Sequence, residues 1–188
     1  MKLFEEYPYL ENDVIAMSRL TEADIPGLEE LTAQPDVGAT IPTFLYEYKY
    51  EDKREMLAHM DEECFDTKES ILLGVRSRSE APEFYGIAEI YNYEEEKQKA
   101  SIGYRLLPSV WGKGIATQEV ELLKEYLFGE TGLRTITAHV LRENKRSAHV
   151  LEKNGFVNLY PGVMEDWGRG EPQLTDKYVL KKRWLDQC

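Results

Sequence analysis

The segment Trp111-Gly112-Lys113-Gly114-Ile115-Ala116-Thr117 constrains the chain most, because it stands between a strand ending near Leu106 and a helix opening at Ala116. Ala116, Val120, Leu123 and Leu127 step by four, three and four, the mark of a helix with one buried stripe. The first N–H groups of a helix lack internal partners and lie at the positive end of its dipole, so a glycine turn there can cradle a phosphate. A triphosphate-hydrolysis loop needs Ser or Thr after its lysine, and Gly114 follows Lys113 instead. A dinucleotide fingerprint needs a third glycine close behind its strand, whereas Thr117 stands in that place, about five residues separating Leu106 from Gly112. Two readings stay open on this segment alone: a phosphate cradle and a plain linking turn.

The rest of the chain reads as one mixed α/β domain over 1–188. Val14 to Leu20 alternates as a strand, and Thr21 with Asp24 has the spacing of a capped helix start. Met56, Leu57, Met60 and Cys64 recur at helical spacing. Ile71 to Arg76, Phe84 to Tyr91, Ala100 to Leu106, Arg134 to Val140, Phe156 to Leu159 and Lys177 to Leu180 are strand-like, with a loop expected at Asn92 to Lys99. Asn144 caps a short helix that Gly155 ends. At 188 residues, a single core suffices without metals or disulfides. The two cysteines, Cys64 and Cys188, form no metal-ligand pattern, so no metal is expected and a reducing cytoplasm suits the chain. No run approaches the ~18 apolar residues of a membrane span. A net charge of −12 argues against extended nucleic-acid binding and would steer cationic partners inward, although an acidic surface also simply confers solubility.

Ile102-Gly103-Tyr104-Arg105-Leu106, then Trp111 to Thr117, then Asn144-Lys145-Arg146-Ser147, then Leu151-Glu152-Lys153-Asn154-Gly155-Phe156 together resemble the GCN5-related N-acetyltransferase (GNAT) family, and within it the ribosomal-protein N-terminal acetyltransferase-like branch. The resemblance implies a mostly antiparallel sheet of about seven strands, with helices on both faces. It also implies a strand pair, Ile102 to Leu106 and Thr135 to Val140, splayed by a bulge to hold acetyl-CoA. The family pattern Q/R-x-x-G-x-G/A falls on Trp111 to Ala116, with Trp111 departing at its first position in the manner of that branch. Gly112, Lys113, Gly114, Ile115, Ala116 and Thr117 would then hold the CoA diphosphate. The pantetheine arm would pair near Tyr104, Arg105 and Leu106, and Asn144 and Ser147 would stand beside it. For Lys113 a solvated side chain, and for Asn144 a simple cap, are the alternatives.

Acyl transfer to nitrogen needs a neutral amine and a proton for the leaving thiolate. A chain-terminal amine, with pKa near 8, costs roughly 1 kcal/mol to neutralise at pH 7, against roughly 5 kcal/mol for lysine. Ser147 is the candidate acid by the resemblance, with an ordinary first-turn serine as the alternative. Glu89 is a candidate base, or a surface glutamate; His139 is a third candidate, or a packed histidine. The loop from Tyr160 to Thr175, carrying Glu165, Asp166, Trp167 and Glu171, is long enough to cover an incoming amine or to be a solvated tip. The acceptor is expected to be a protein N-terminus or a small-molecule amine such as a polyamine or antibiotic, in a monomer or homodimer. A non-catalytic acyl-CoA sensor is the reading from another class.

Overall fold

Runs rich in β-branched and aromatic residues build a single sheet in the computed structural model, which describes residues 3–185. Its strands are β1 (Leu10–Glu11), β2 (Ile15–Arg19), β3 (Ser70–Ser77), β4 (Phe84–Glu94), β5 (Lys99–Leu106), β6 (Thr135–Leu141), β7 (Val157–Glu165) and β8 (Gln173–Lys181). They lie in the order β1-β2-β3-β4-β5-β6-β8-β7. Every neighbouring pair is antiparallel except β5 and β6, which run parallel. The helices are α1 (Ile25–Thr32), α2 (Pro35–Gly38), α3 (Tyr46–Lys49), α4 (Lys53–Met60), α5 (Ile115–Gly129), α6 (Lys145–Lys153) and α7 (Lys182–Leu185).

The pleat sends alternate side chains to opposite faces, and each face has its own helices. On one, Leu72 of β3 and Ile87 of β4 pack with Leu28 and Leu31 of α1 and with Met56, Leu57 and Met60 of α4. On the other, Ile71, Ile90, Ile102 and Ile136 pack with Val120, Leu123 and Leu127 of α5 and Leu151 of α6. Each such apolar side chain contributes about 1.5–3 kcal/mol by leaving water. α1 starts beyond a capping box in which Asp24 accepts from the Thr21 N–H at 2.8 Å.

The parallel ladder is short. Lys99, Ala100 and Ser101 pair with Thr135, Ile136 and Thr137, and no pairing follows beyond Ser101 and Thr137. Their hydroxyls meet at 2.8 Å at the point where the strands part. β5 continues in regular register with β4 as far as Leu106, and β6 continues with β8 as far as Leu141. The sheet is therefore split, with unpaired backbone edges along Ile102 to Leu106 and Ala138 to Leu141 facing each other.

Several expectations need adjusting. The bulge expected at the parting lies instead between β4 and β5 at Tyr91/Glu94, next to Asn92 with its φ of 50°. β1 adds an eighth strand too short to leave a sequence pattern. β4 runs on to Glu94, so the expected Asn92 to Lys99 loop shrinks to a tight turn. β7 extends through Pro161 to Glu165 by means of two register shifts, which reduces the long Tyr160 to Thr175 loop to residues 166–172. Cys188 lies outside the described residues; among them no metal-binding cluster and no helix long and apolar enough to cross a membrane occurs.

Candidate active site

A cavity of about 1500 Å³ runs from the start of α5, through the parting of β5 and β6, to the face carrying α1 to α4. Tyr104, Arg105, Leu106, Trp111, Gly112, Gly114, Ile115, Ala116, Thr117, Asn144 and Ser147 line it, as do Glu89 and His139. Of the expected site residues, only Lys113 is not on its wall; it lies exposed in the turn.

The donor end is the glycine turn. Gly112 and Gly114 hold φ of 74° and 79°, and Gly114 caps α5. A Cβ at either position would meet no atom within 4 Å, so both face open space, and it is the left-handed backbone that favours glycine there. Open space before helix-start N–H groups suits the diphosphate of CoA. The Trp111 indole N–H donates to the Leu106 carbonyl at 2.8 Å, which fixes the turn against the end of β5. The Arg146 guanidinium sits 4.5 Å from the centroid of the Trp111 ring. That stacking brings a cation to the phosphate-binding end; sequence reasoning missed it, although Arg146 lies inside the Asn144 to Ser147 motif.

At the opening of α6 the Asn144 carbonyl oxygen accepts from the Ser147 N–H at 3.2 Å, and its Nδ2 donates to Ser147 Oγ at 3.2 Å. Because Ser147 Oγ is an acceptor in that contact, its own proton is left to point elsewhere. Tyr104 reaches across to α6, its hydroxyl donating to the Ser147 carbonyl at 3.2 Å, and burial pushes its phenol above the usual range.

The acceptor end lies on the other face. Glu89 pairs with Gly103 in the β4–β5 register, and a Cβ on Gly103 would touch only Tyr91 Cε1, at 3.6 Å, so the space beside Glu89 is open on β5. Glu89 accepts from Arg105 Nη1 at 2.6 Å, while the other side of the guanidinium meets both carboxylate oxygens of Glu47 in α3, Nη2 to Oε2 being 2.5 Å. The Arg105 side chain is therefore committed to two carboxylates, which leaves its main chain for the pantetheine pairing expected on this strand. Desolvation raises the Glu89 carboxyl above its ordinary pKa and adjacent Glu47 adds to this, with Arg105 opposing. Glu47 was missed because nothing local in Tyr46–Lys49 marks a buried anion. The Lys53 ammonium donates to the carbonyls of Glu47 and Tyr50, at 2.8 and 2.7 Å, and so holds α3 in place.

His139 Nδ1 lies 2.5 Å from Glu165 Oε1, and Glu165 Oε2 accepts from Thr175 Oγ1 at 2.9 Å. Burial lowers the His139 pKa, and Glu165 offsets part of that effect. Residues 166–172 are fastened to the segment before α3. Thr43 N–H donates to the Trp167 carbonyl at 2.9 Å, and Arg169 Nη2 donates to the carbonyls of Gly38 and Ile41, both at 2.6 Å. Gly168 has φ of 72°, and a Cβ there would meet Thr43 Oγ1 at 2.3 Å, so only glycine allows this approach. The two segments form a strap beside the acceptor end.

A sheet split between β5 and β6, with a glycine turn at one end of the cavity and buried titratable groups at the other, suits a transferase that uses an acyl carrier. The chain belongs to the acetyltransferase (GNAT) domain family, whose model matches residues 15–157. It is an acetyl-CoA-dependent N-acetyltransferase. It is 25% identical over 181 residues to an uncharacterised N-acetyltransferase, YoaA, of Bacillus subtilis, covering 94% of this chain and 98% of that protein. A GNAT-family acetyltransferase of Bacillus anthracis has a similar fold, with a TM-score of 0.77 at 19% identity over 94% of this chain and 99% of that one. So has the spermidine N-acetyltransferase of Vibrio cholerae in complex with CoA and spermine, with a TM-score of 0.74 at 20% identity, covering 92% and 98%.

Proposed function

We propose that the chain acetylates a primary amine by direct attack in a ternary complex, with Glu89 as base, Ser147 as acid and a protein N-terminal α-amine as acceptor. The observation that carries the reading is that Glu89 and Ser147 line one cavity through the parting of β5 and β6. Acetyl-CoA brings the thioester. Backbone N–H groups from Gly112 to Thr117 hold its diphosphate, with Arg146 beside them, and the free edge of β5 near Tyr104 and Leu106 pairs with its arm. Glu89, buried and raised in pKa, takes the proton of the incoming ammonium directly or through a water. The Ser147 hydroxyl, oriented by Asn144, gives its proton to the leaving sulfur and recovers one from the attacking nitrogen as the intermediate collapses to the amide. His139, held by Glu165, stands at the same cavity as a second proton acceptor.

An α-amine demands least of such a base, and Trp111 at the head of the glycine turn supports the ribosomal-protein N-terminal acetyltransferase-like branch. A small cationic amine is the second reading. It is favoured by Asp36, Glu69, Glu89, Glu165 and Asp166 on the cavity wall, and by 27% identity over 103 residues to a spermidine N(1)-acetyltransferase of Vibrio cholerae. Thiol release from acetyl-CoA should be followed with peptides bearing a free N-terminal alanine or serine, spermidine, and an aminoglycoside. Faster turnover of the peptides is expected; turnover of spermidine alone selects the second reading, and none with any amine refutes the acceptor assignment.

A further inference from the structure

Glu47, Arg105 and Glu89 make a buried group of two carboxylates on one guanidinium, with residue exposures of 0%, 4% and 7%. Arg105 is shared unequally. Glu47 meets it through both oxygens, and Glu89 through one bond to Nη1. With both acids ionised, the three side chains carry one negative charge in excess. A further cation beside Glu47 is Lys53, whose ammonium donates to the carbonyls of Glu47 and Tyr50. Among the described residues, the fully buried carboxyl of Glu119 in α5 also interacts with Arg105, and burial holds its pKa well above the ordinary value; the polar groups facing Glu89 itself are neutral at pH 7. They are Ser70 of β3, which donates to it, Tyr91 two residues along β4, and Cys64 from the helical turn that follows α4, whose thiol burial pushes up to about 12.

We propose that Glu47 is a positioning residue that holds Arg105 away from full pairing with Glu89, so that the buried group receives the acceptor as an ammonium and Glu89 then removes its proton. This rests on Glu89 being the base of the acetyltransferase. A lone Arg105–Glu89 pair would be neutral, and its carboxylate a weak base. Adding Glu47 restores one negative charge, which one ammonium neutralises. When the proton passes from nitrogen to Glu89 Oε, the amine becomes neutral and nucleophilic and the group is again without excess charge. The charge balance thus closes at both stages, and the carboxylate that never touches the amine sets the basicity of the one that does.

The test is the pH dependence of kcat/KM with acetyl-CoA and an N-terminal alanine peptide, with spermidine in a parallel arm, for the full chain and for Glu47→Gln, Glu47→Asp and Glu89→Gln. Glu47→Gln should move the acid limb down by about one pH unit and raise acceptor KM about fivefold, since one nearby like charge is gone, while CoA affinity measured by calorimetry holds within about twofold. Glu47→Asp keeps the charge and should leave the limb near its original place. An acid limb unmoved in folded, CoA-binding Glu47→Gln overturns the proposal. If Glu89→Gln loses the limb in that case, Glu89 stands as base without Glu47; if it keeps the limb, both assignments fail. Absence of CoA binding by the unaltered chain would sink the underlying reading instead. Infrared titration provides a readout apart from kinetics: in a Glu119→Gln background, which removes the other buried carboxyl of raised pKa, a protonated-carboxyl band that persists above the ordinary carboxylate range and is abolished by Glu89→Gln is expected, and its absence overturns the proposal.

Discussion

Asn144 and Ser147 contact each other twice, through Asn144 Oδ1 to the Ser147 N–H and Asn144 Nδ2 to Ser147 Oγ, both at 3.2 Å. One side chain thus caps α6 and donates to the serine hydroxyl oxygen, so the serine proton is free of that contact. Ser147→Ala should lower kcat by about 10²-fold, the lower range for a general acid, with little change in CoA affinity. Asn144→Ala should lower both kcat and the melting temperature, since a lost cap costs about 1 kcal/mol. Steady-state kinetics beside thermal denaturation would separate the two; a Ser147→Ala enzyme of full kcat would remove Ser147 from the chemistry.

Gly114→Asp places a carboxylate where the proposed cradle would hold the diphosphate, and a side chain at φ of 79°. CoA affinity should fall by at least about 100-fold, which is about 3 kcal/mol, from repulsion and left-handed strain together. Calorimetric titration of a variant with unchanged circular dichroism checks this, and retained affinity would count against the cradle.

Glu119, fully buried in α5, has no partner for either carboxyl oxygen among the described residues, and desolvation holds its pKa well above the ordinary value of 4.5, with Arg105 opposing. Its folded pKa exceeds its unfolded one, so the favourable contribution is complete below about pH 4.5 and is lost as pH rises toward the folded value. Glu119→Gln removes that loss. The variant should melt a few degrees higher than the unaltered chain at pH 8, the difference narrowing toward pH 5, in thermal scans across that range. A difference independent of pH would show that Glu119 keeps no proton on folding.

Arg169 fastens the strap through the carbonyls of Gly38 and Ile41. Arg169→Ala should raise acceptor KM about fivefold or more and leave CoA affinity within about twofold, since charged hydrogen bonds are worth about 1.5–3 kcal/mol. Gly168→Val, which clashes with Thr43, should act in the same direction. Unchanged acceptor kinetics in both would show that residues 166–172 are only a hairpin tip.

The glycine-turn half of the cavity was legible because its signals are local. The glycine turn, the stripe of α5 and the Asn144 cap each lie within a dozen residues, and the structure brings them to one cavity wall. The acceptor half depends on distance in sequence. Glu47 and Arg105 meet across 58 positions, and Thr43 and Trp167 across 124, with nothing in Tyr46–Lys49 or 166–172 to announce a partner. β7 was read too short because Pro161 and Gly162 ordinarily end strands, whereas two register shifts absorb them here. The Arg105 side chain, on the opposite face of the strand from Tyr104 and Leu106, carries no local sign of the two carboxylates it meets.

Only three residue pairs and one hydroxyl contact join β5 to β6. The sheet therefore has a narrow seam at this point, and under the proposed function the acyl carrier would extend the ladder that the seam begins. Amides of β5 and β6 beyond Ser101 and Thr137 should exchange with deuterium most slowly when that carrier is in place, so its arrival stiffens the jaw against which the amine must be aligned.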